Sequence, residues 1–410
     1  MVVNARPLSV SSIEEAAEEL RRIGVEPYGV AAMAPKMLNF CLLCEKIESR
    51  AANIMKQDML SIGGDVAVSR GTVDCSIAVT DAIVIGTIKQ IERFAEKLSI
   101  QPFGLRSISE EIRSALTNIR TDSFTIKTPR RDIFLGRRTL VMGILNPTPD
   151  SFSDGGDFLN PEKALDAAIR MAGEGADIID VGGESSRPGA QAVAAEEETR
   201  RIIPVIEKLS GRIGIPISVD TTKANVARLA VEAGAEIIND ISAASLDPEM
   251  AGTAARLGTP IVLMHMRGTP STMQTGDLSY RSLCGDIIGA LAAGISRVAA
   301  AGITPDRVII DPGIGFGKTA EGNVRIIRRL RDFKVLGRPI LIGPSRKRFT
   351  GTFTGVETPR ERIEGTAAAV TASVMNGAHI VRVHDVEFMR RVCDMADQLK
   401  VQSSEFRVPS

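Results

Sequence analysis

The sequence predicts an α/β protein: a (β/α)₈ TIM-type barrel over residues 139–410, preceded by a small α+β domain. Three observations predict it. From residue 139 onward, a short β-branched run followed by an Ala-rich amphipathic stretch recurs eight times. The runs are nearly continuous in apolar residues, as parallel strands buried on both faces are. Residues foreign to an apolar core fall at the carboxyl ends of these runs, the face on which barrels of this kind assemble their sites.

Residues 1–120 read differently. The segments 13–23, 51–62 and 88–99 carry the 3.6-residue spacing of amphipathic helices, and 65–69 and 82–85 read as short strands. Cys41 and Cys44 form a CxxC in an apolar run with no second pair, which reads as core packing rather than zinc or redox work. A linker at 121–138 holds a predicted hairpin, 124–135 with Pro129 at its centre, which leads into the first barrel strand and plugs the barrel bottom. The barrel strands are predicted at 139–145, 177–181, 215–219, 236–239, 260–264, 307–310, 339–342 and 379–383. Helical patterns such as 161–174, 196–209, 225–233, 287–301 and 360–375 lie between them. A doubly wound open sheet is the alternative; eight repeats favour the barrel.

Composition narrows the function. Fifty basic and fifty acidic residues cancel, which argues against a bulk electrostatic nucleic-acid binder. With thirteen Phe, two Tyr and no Trp, stacked-base platforms are a poor fit. The longest apolar stretch, 287–303, is interrupted by Ser296 and Arg297, so no membrane span is expected. Five scattered cysteines and no secretory core in residues 1–14 predict free thiols in a cytoplasmic protein.

At the strand ends, GILNPTPDSFSDGG (143–156) is a long polar loop whose Asn146 offers a neutral oxygen to a hard cation such as Mg²⁺, or merely forms a turn. DVGGESSRPG (180–189) sets Arg187 among glycines, as suits anion contact. Asp220, Asn239 and Asp311 end three apolar strands. Such groups suit a flat heterocycle rich in N–H donors, or else cap the helices that follow. Asn239 and Asp240 point to opposite faces, so only one faces inward. DPGIGFGK (311–318) resembles a phosphate-type glycine loop without being a Walker sequence. GPSRKR (343–348) presents three cations, of which Arg346 and Arg348 read as a solvated rim. Arg382 and His384 alternate and so face one way. No HExxH, cysteine ligand set, Ser-His-Asp order or first-strand GxGxxG is visible.

With SVDT (218–221), IND (238–240), LMHMRGTPSTMQ (263–274), GPSRK (343–347) and RVHD (382–385), these motifs make residues 133–400 resemble the dihydropteroate synthases, a family of pterin-binding barrels. The resemblance implies joining 4-aminobenzoate to 6-hydroxymethyl-7,8-dihydropterin pyrophosphate. It implies Asn146 as the Mg²⁺ ligand and Asp220, Asn239, Asp311 and Lys347 as pterin contacts. Ser186 and Arg187 become second-loop residues, Ser345 a contact on the aminobenzoate side, and Arg382 and His384 pyrophosphate anchors. Met264, Phe316 and Gly343 become pocket walls. Catalysis is expected to rest on Asp220, Asp311, Lys347 and Arg187, in a homodimer with no nucleic-acid or membrane partner. Pro147 and Ser186 stand where the family commonly has Val and Thr; both are mild departures. A methyltransferase taking methyltetrahydrofolate to a corrinoid partner is the alternative on this scaffold, disfavoured because it needs no pyrophosphate site. A non-catalytic pterin-binding protein is a third. Residues 1–120 resemble an extension on some bacterial and archaeal members.

Overall fold

The computed structural model describes residues 7–8, 10–146, 161–185, 189 and 192–400. The chain divides into two compact units, one within residues 1–120 and one spanning Thr121–Lys400.

The first unit opens with two helices, α1 (Ile13–Arg22) and α2 (Pro27–Met37), which pack through Ala16, Ala17, Leu20, Val30 and Ala34. Then come β1 (Asn39–Glu48), α3 (Ser49–Leu60), β2 (Asp65–Val68), β3 (Val79–Thr87), α4 (Ile88–Leu98) and α5 (Leu105–Arg120). The strands form an antiparallel sheet in the order β1-β3-β2. One face, with Val66, Ala82 and Val84, is buried with Met55, Met59, Phe94 and Ile112 from the helices. Thr87 caps α4 reciprocally with Gln90, satisfying two backbone donors. The sequence pattern passes over α2, β1 and α5. In α2, Pro27 and Pro35 break the expected composition, and β1 buries alternate residues only partly. The reading of the CxxC cysteines as core is corrected for Cys41, which is exposed; Cys44 is half-buried and packs against the core. They sit three apart on β1, and an odd spacing on a strand points side chains to opposite faces.

The second unit begins with the antiparallel pair β4 (Phe124–Lys127) and β5 (Asp132–Leu135). The barrel strands are β6 (Leu140–Leu145), β7 (Ile178–Gly182), β8 (Ile217–Asp220), β9 (Ile237–Asp240), β10 (Ile261–Met264), β11 (Val308–Asp311), β12 (Leu341–Ile342) and β13 (Ile380–Val383). Outside them lie α6 (Pro161–Gly173), α7 (Ala195–Ser210), α8 (Ala224–Ala233), α9 (Met250–Leu257), α10 (Leu283–Ala300), α11 (Ala320–Arg328), α12 (Arg348–Thr354), α13 (Ile363–Met375) and α14 (Val386–Leu399). The strands run parallel in the order β11-β10-β9-β8-β7-β6-β13-β12. A bridge between Ile310 and Ile340 joins the two ends, with the Ile310 N–H donating to the Pro339 carbonyl at 3.0 Å. Closure decides for the barrel against the open sheet.

Side chains alternate across each strand. One set, including Ile179, Val219, Ile238, Leu263, Ile310 and Val381, packs outward against the helices. The other set, Leu140, Met142, Ile178, Ile237, Val262, Ile309, Leu341 and Ile380, closes the interior together with Ile126, Ile133 and Leu135 of the β4–β5 hairpin. The hairpin is the predicted bottom plug, so the opposite end is left for chemistry. The helix α10 is long and apolar enough to cross a membrane by length and composition. Its Leu283, Ile287, Leu291 and Val298 are buried in the barrel's outer core, which accounts for that composition.

Candidate active site

The alternation that seals the bottom also builds the mouth. Two residues beyond each plugging position, the same inward direction recurs one layer higher. Ile178 is followed by Asp180, Ile237 by Asn239, Val262 by Met264, Ile309 by Asp311 and Ile380 by Arg382. Parallel register sets them side by side: Asp180 pairs with Ser218 on β8, and Asp220 with Asn239 on β9.

Arg382 organises the acids. Its Nε donates to Asp180 Oδ2 at 2.6 Å and an Nη to Asp220 Oδ2 at 2.7 Å. Asn239 Nδ2 donates to the same Asp180 oxygen at 3.0 Å. The other Asp180 oxygen is buried without a protein partner among the described residues. Burial opposes the charge on Arg382, but Asp180 and Asp220 raise its pKa above the ordinary value. Burial pushes the Asp220 carboxyl up to about 7, with Arg382 opposing and Asp180, Glu198 and Asp240 adding to it. Asp240, the outward neighbour of Asn239, accepts from the Ser242 and Ala244 N–H groups. Asp220 is thus an ion-pair partner inside the mouth, not a helix cap.

Across the mouth, Asp311 accepts from the Gly313 N–H at 2.7 Å. Burial pushes its carboxyl up to about 6, against that bond and the charges of Lys347, Lys318 and Arg382. Lys347 Nζ lies 4.1 Å over the Phe316 ring, a cation–π contact. Burial pulls Lys347 down to about 8, helped by Arg382 and opposed by Asp311 and Asp220. Phe316 and Met264 are buried together with Ile241 and Met273 as an apolar wall. Gly343 lies beside Arg382, 3.7 Å from the Arg382 Cβ to where its own Cβ would be. Ser345 Oγ is 3.0 Å from His384 Nδ1 and accepts from the His384 N–H at 3.2 Å. Asn146 Oδ1 and the Asp220 side chain both approach Gly182, at 3.0 and 3.3 Å from where its Cβ would be.

Two readings from the sequence change. Arg346 is not a solvated rim residue: it pairs with Asp385 through Nε and an Nη. His384 lies just beyond β13 and takes a different partner from Arg382, Ser345 instead of the two acids. Ser186 and Arg187 lie outside the described residues. The base of their loop is held by Lys223, which bonds Glu184 and the buried Glu198. Sequence reasoning missed Asp180 as a site residue; the parity signal was there, since it stands two before Gly182 and two after Ile178. It also missed Lys318 and its contact with His265.

Among the described residues no group of three His, Cys, Asp or Glu could hold a metal. Asn146 offers one neutral oxygen at the mouth, which fits a Mg²⁺ ion that keeps its waters and takes substrate phosphate oxygens.

The family model for pterin binding enzymes matches residues 142–384. A dihydropteroate synthase of Synechocystis is 49% identical over 264 residues, 64% of this chain and 91% of the relative. A probable bifunctional folylpolyglutamate synthase/dihydropteroate synthase of Halobacterium salinarum is 41% identical over 377 residues. That match covers 92% of this chain, and so most of residues 1–120, but only 45% of the relative. A solved Xanthomonas albilineans dihydropteroate synthase with 4-aminobenzoic acid superposes with a TM-score of 0.63 at 42% identity, over 68% of this chain and 98% of that one. Closed barrel, inward acids and these matches agree: the chain belongs to the pterin-binding enzyme family, where it groups with the dihydropteroate synthases.

Proposed function

We propose that this site joins 4-aminobenzoate to 6-hydroxymethyl-7,8-dihydropterin pyrophosphate, giving 7,8-dihydropteroate and pyrophosphate. This is the dihydropteroate synthase reaction, a transferase step of folate synthesis. One observation carries the reading: Asp180, Asp220, Asn239 and Asp311 offer acceptors in one buried mouth, faced by Lys347 and Arg382. A pterin presents several N–H donors and one carbonyl along its edge, so it needs that mixture of acceptors and a cation. We assign Met264, Phe316 and Gly343 to the walls, Ser345 to the aminobenzoate side, and Arg382 with His384 to the pyrophosphate. Arg187 and Ser186 go to the second loop.

In the reaction the amine nitrogen forms a bond to the exocyclic methylene carbon, and the C–O bond to pyrophosphate breaks. The proton then leaves the new anilinium. The electron-rich dihydropterin spreads positive charge from the methylene, so C–O cleavage runs ahead of attack. Asp220 and Asp311, fixed beforehand, stabilise that charge. An aromatic amine is weakly basic, so no strong general base is needed. Arg382 brings positive charge to the polyanionic pyrophosphate leaving group while Asp180 and Asp220 keep it oriented, and Lys347 faces the pterin. Mg²⁺ held at Asn146 would further neutralise the pyrophosphate. The five cysteines are free thiols, which favours a cytoplasmic enzyme, and we expect a homodimer, measurable by light scattering.

The test is direct. The protein, incubated with pterin pyrophosphate, 4-aminobenzoate and Mg²⁺, should release pyrophosphate and form dihydropteroate in equal amounts. Binding of methyltetrahydrofolate with no pyrophosphate release would reject the reading.

A further inference from the structure

The loop after β11 gives the mouth Phe316, but its last residue has no part in the chemistry above. Lys318 is only 2% exposed. A buried ammonium is costly unless its protons find acceptors. Three contacts meet it: the Phe316 carbonyl at 2.9 Å, the His265 carbonyl at 3.3 Å and His265 Nδ1 at 3.0 Å. Burial pulls Lys318 down to about 7 with Asp311 opposing. The two carbonyls can only accept, so they keep protons on the nitrogen. Burial depresses the His265 ring to about 3, helped by Lys318, so the ring is neutral. With Nδ1 accepting, its proton sits on Nε2.

One acceptor belongs to the glycine loop and two to the end of β10, so Lys318 joins two segments. Their backbones are pressed together. A Cβ at Gly313 would lie 2.0 Å from the His265 carbonyl oxygen, and one at Gly317 would lie 2.7 Å from Arg267 Cβ. Both glycines have positive φ, +71° and +69°. Gly315, between them, faces the Lys347 stem, with 3.1 Å from its would-be Cβ to Lys347 Cδ. A continuous path therefore runs from Lys318 through the Phe316 backbone to the Phe316 ring and the Lys347 ammonium above it.

We propose that Lys318 is a positioning residue for the reaction: by fastening the glycine loop to the end of β10, it holds the Phe316 ring under Lys347 and so sets the wall against which the pterin lies. This rests on the assignment of Lys347 to the pterin and of Phe316 to the pocket wall.

The test compares Lys318→Met, which keeps the stem and loses the donors, with Lys318→Arg, which keeps the charge, and with Lys347→Met. All are full-length and matched for melting temperature. Lys318→Met should raise KM for pterin pyrophosphate about 10- to 100-fold, the scale of one charged hydrogen bond. KM for 4-aminobenzoate should stay within about twofold, since that contact is not displaced. Lys318→Arg should recover most of the loss. An unchanged pterin KM in Lys318→Met, or equal damage to both KM values without rescue by Arg, overturns the proposal. If Lys347→Met leaves pterin binding intact, the pterin assignment itself fails. If Lys347→Met loses binding while Lys318→Met does not, only the positioning role fails. Should Lys318→Met not fold, ¹⁵N NMR of the histidines in the wild-type protein at pH 6.5 decides: a neutral Nε2–H tautomer at His265 is required, and an Nδ1–H tautomer or an imidazolium overturns it.

Discussion

Replacing Asp311 by Asn should make the resting protein more stable and the enzyme far slower. Asp311 is 6% exposed and ends β11 inside the mouth. Burial outweighs its Gly313 bond and its three neighbouring cations, and lifts its pKa from 3.8 to about 6. An acid that holds its proton more tightly when folded is most favourable to the fold at low pH. Stability is therefore lost as pH rises from near 3.8 through about 6, and the full cost persists above that. At 1.36 kcal/mol per unit the cost is about 3 kcal/mol. Asparagine keeps an oxygen for the Gly313 N–H and removes only the charge. For a unit of this size we expect Tm to rise about 5–10 °C at pH 7.5. The gain should vanish near pH 4, where the wild-type carboxyl is protonated on folding. Turnover should fall roughly 10²–10³-fold, the scale of one preorganised electrostatic group. The assay is calorimetry of ligand-free proteins across pH 4–8 beside pyrophosphate release. A variant that is less stable at pH 7.5, or stabilised equally at both ends, would refute the reasoning, because the carboxylate would then be supporting the fold.

Lys347, held down to about 8, must be protonated to face the pterin, and Asp311 and Asp220, raised to about 6 and about 7, must be ionised. The pH profile of kcat/KM should therefore rise from about 6 through about 7 and fall above about 8; a Lys347→Gln profile that keeps the alkaline limb would assign that limb elsewhere. Mg²⁺ affinity should depend on bound pyrophosphate, since Asn146 is the single protein oxygen assigned to it; tight Mg²⁺ binding to ligand-free protein in calorimetry would contradict this. The unit Thr121–Lys400 has its own closed core and bottom plug, so a chain beginning at Thr121 should fold and retain activity. A folded but inert barrel would show that residues 1–120 contribute to the site.

The sequence by itself determined the repeat, the count of eight, the hairpin and the layer in which the chemistry lies. Those are local properties. Strand periodicity shows in consecutive residues, and a polar residue ending an apolar run is conspicuous whatever lies beside it. That only one of Asn239 and Asp240 faces inward followed from alternation alone; the structure decided that it is Asn239. In the first unit the same signals weaken, because β1 is only partly buried and α2 carries two prolines, so both were illegible. Pairing was decided only by the tertiary structure. Closure sets β13 beside β6 and β6 beside β7, which brings Arg382 onto Asp180 across 202 positions of sequence. No spacing encodes that distance. It also gave Arg382 two acid partners that no motif announced, and gave buried Lys318 its partner at the end of the preceding strand. Charges in a barrel mouth are costly alone and stable when paired. Sequence shows which charges must be paired; only the closed sheet decides with which.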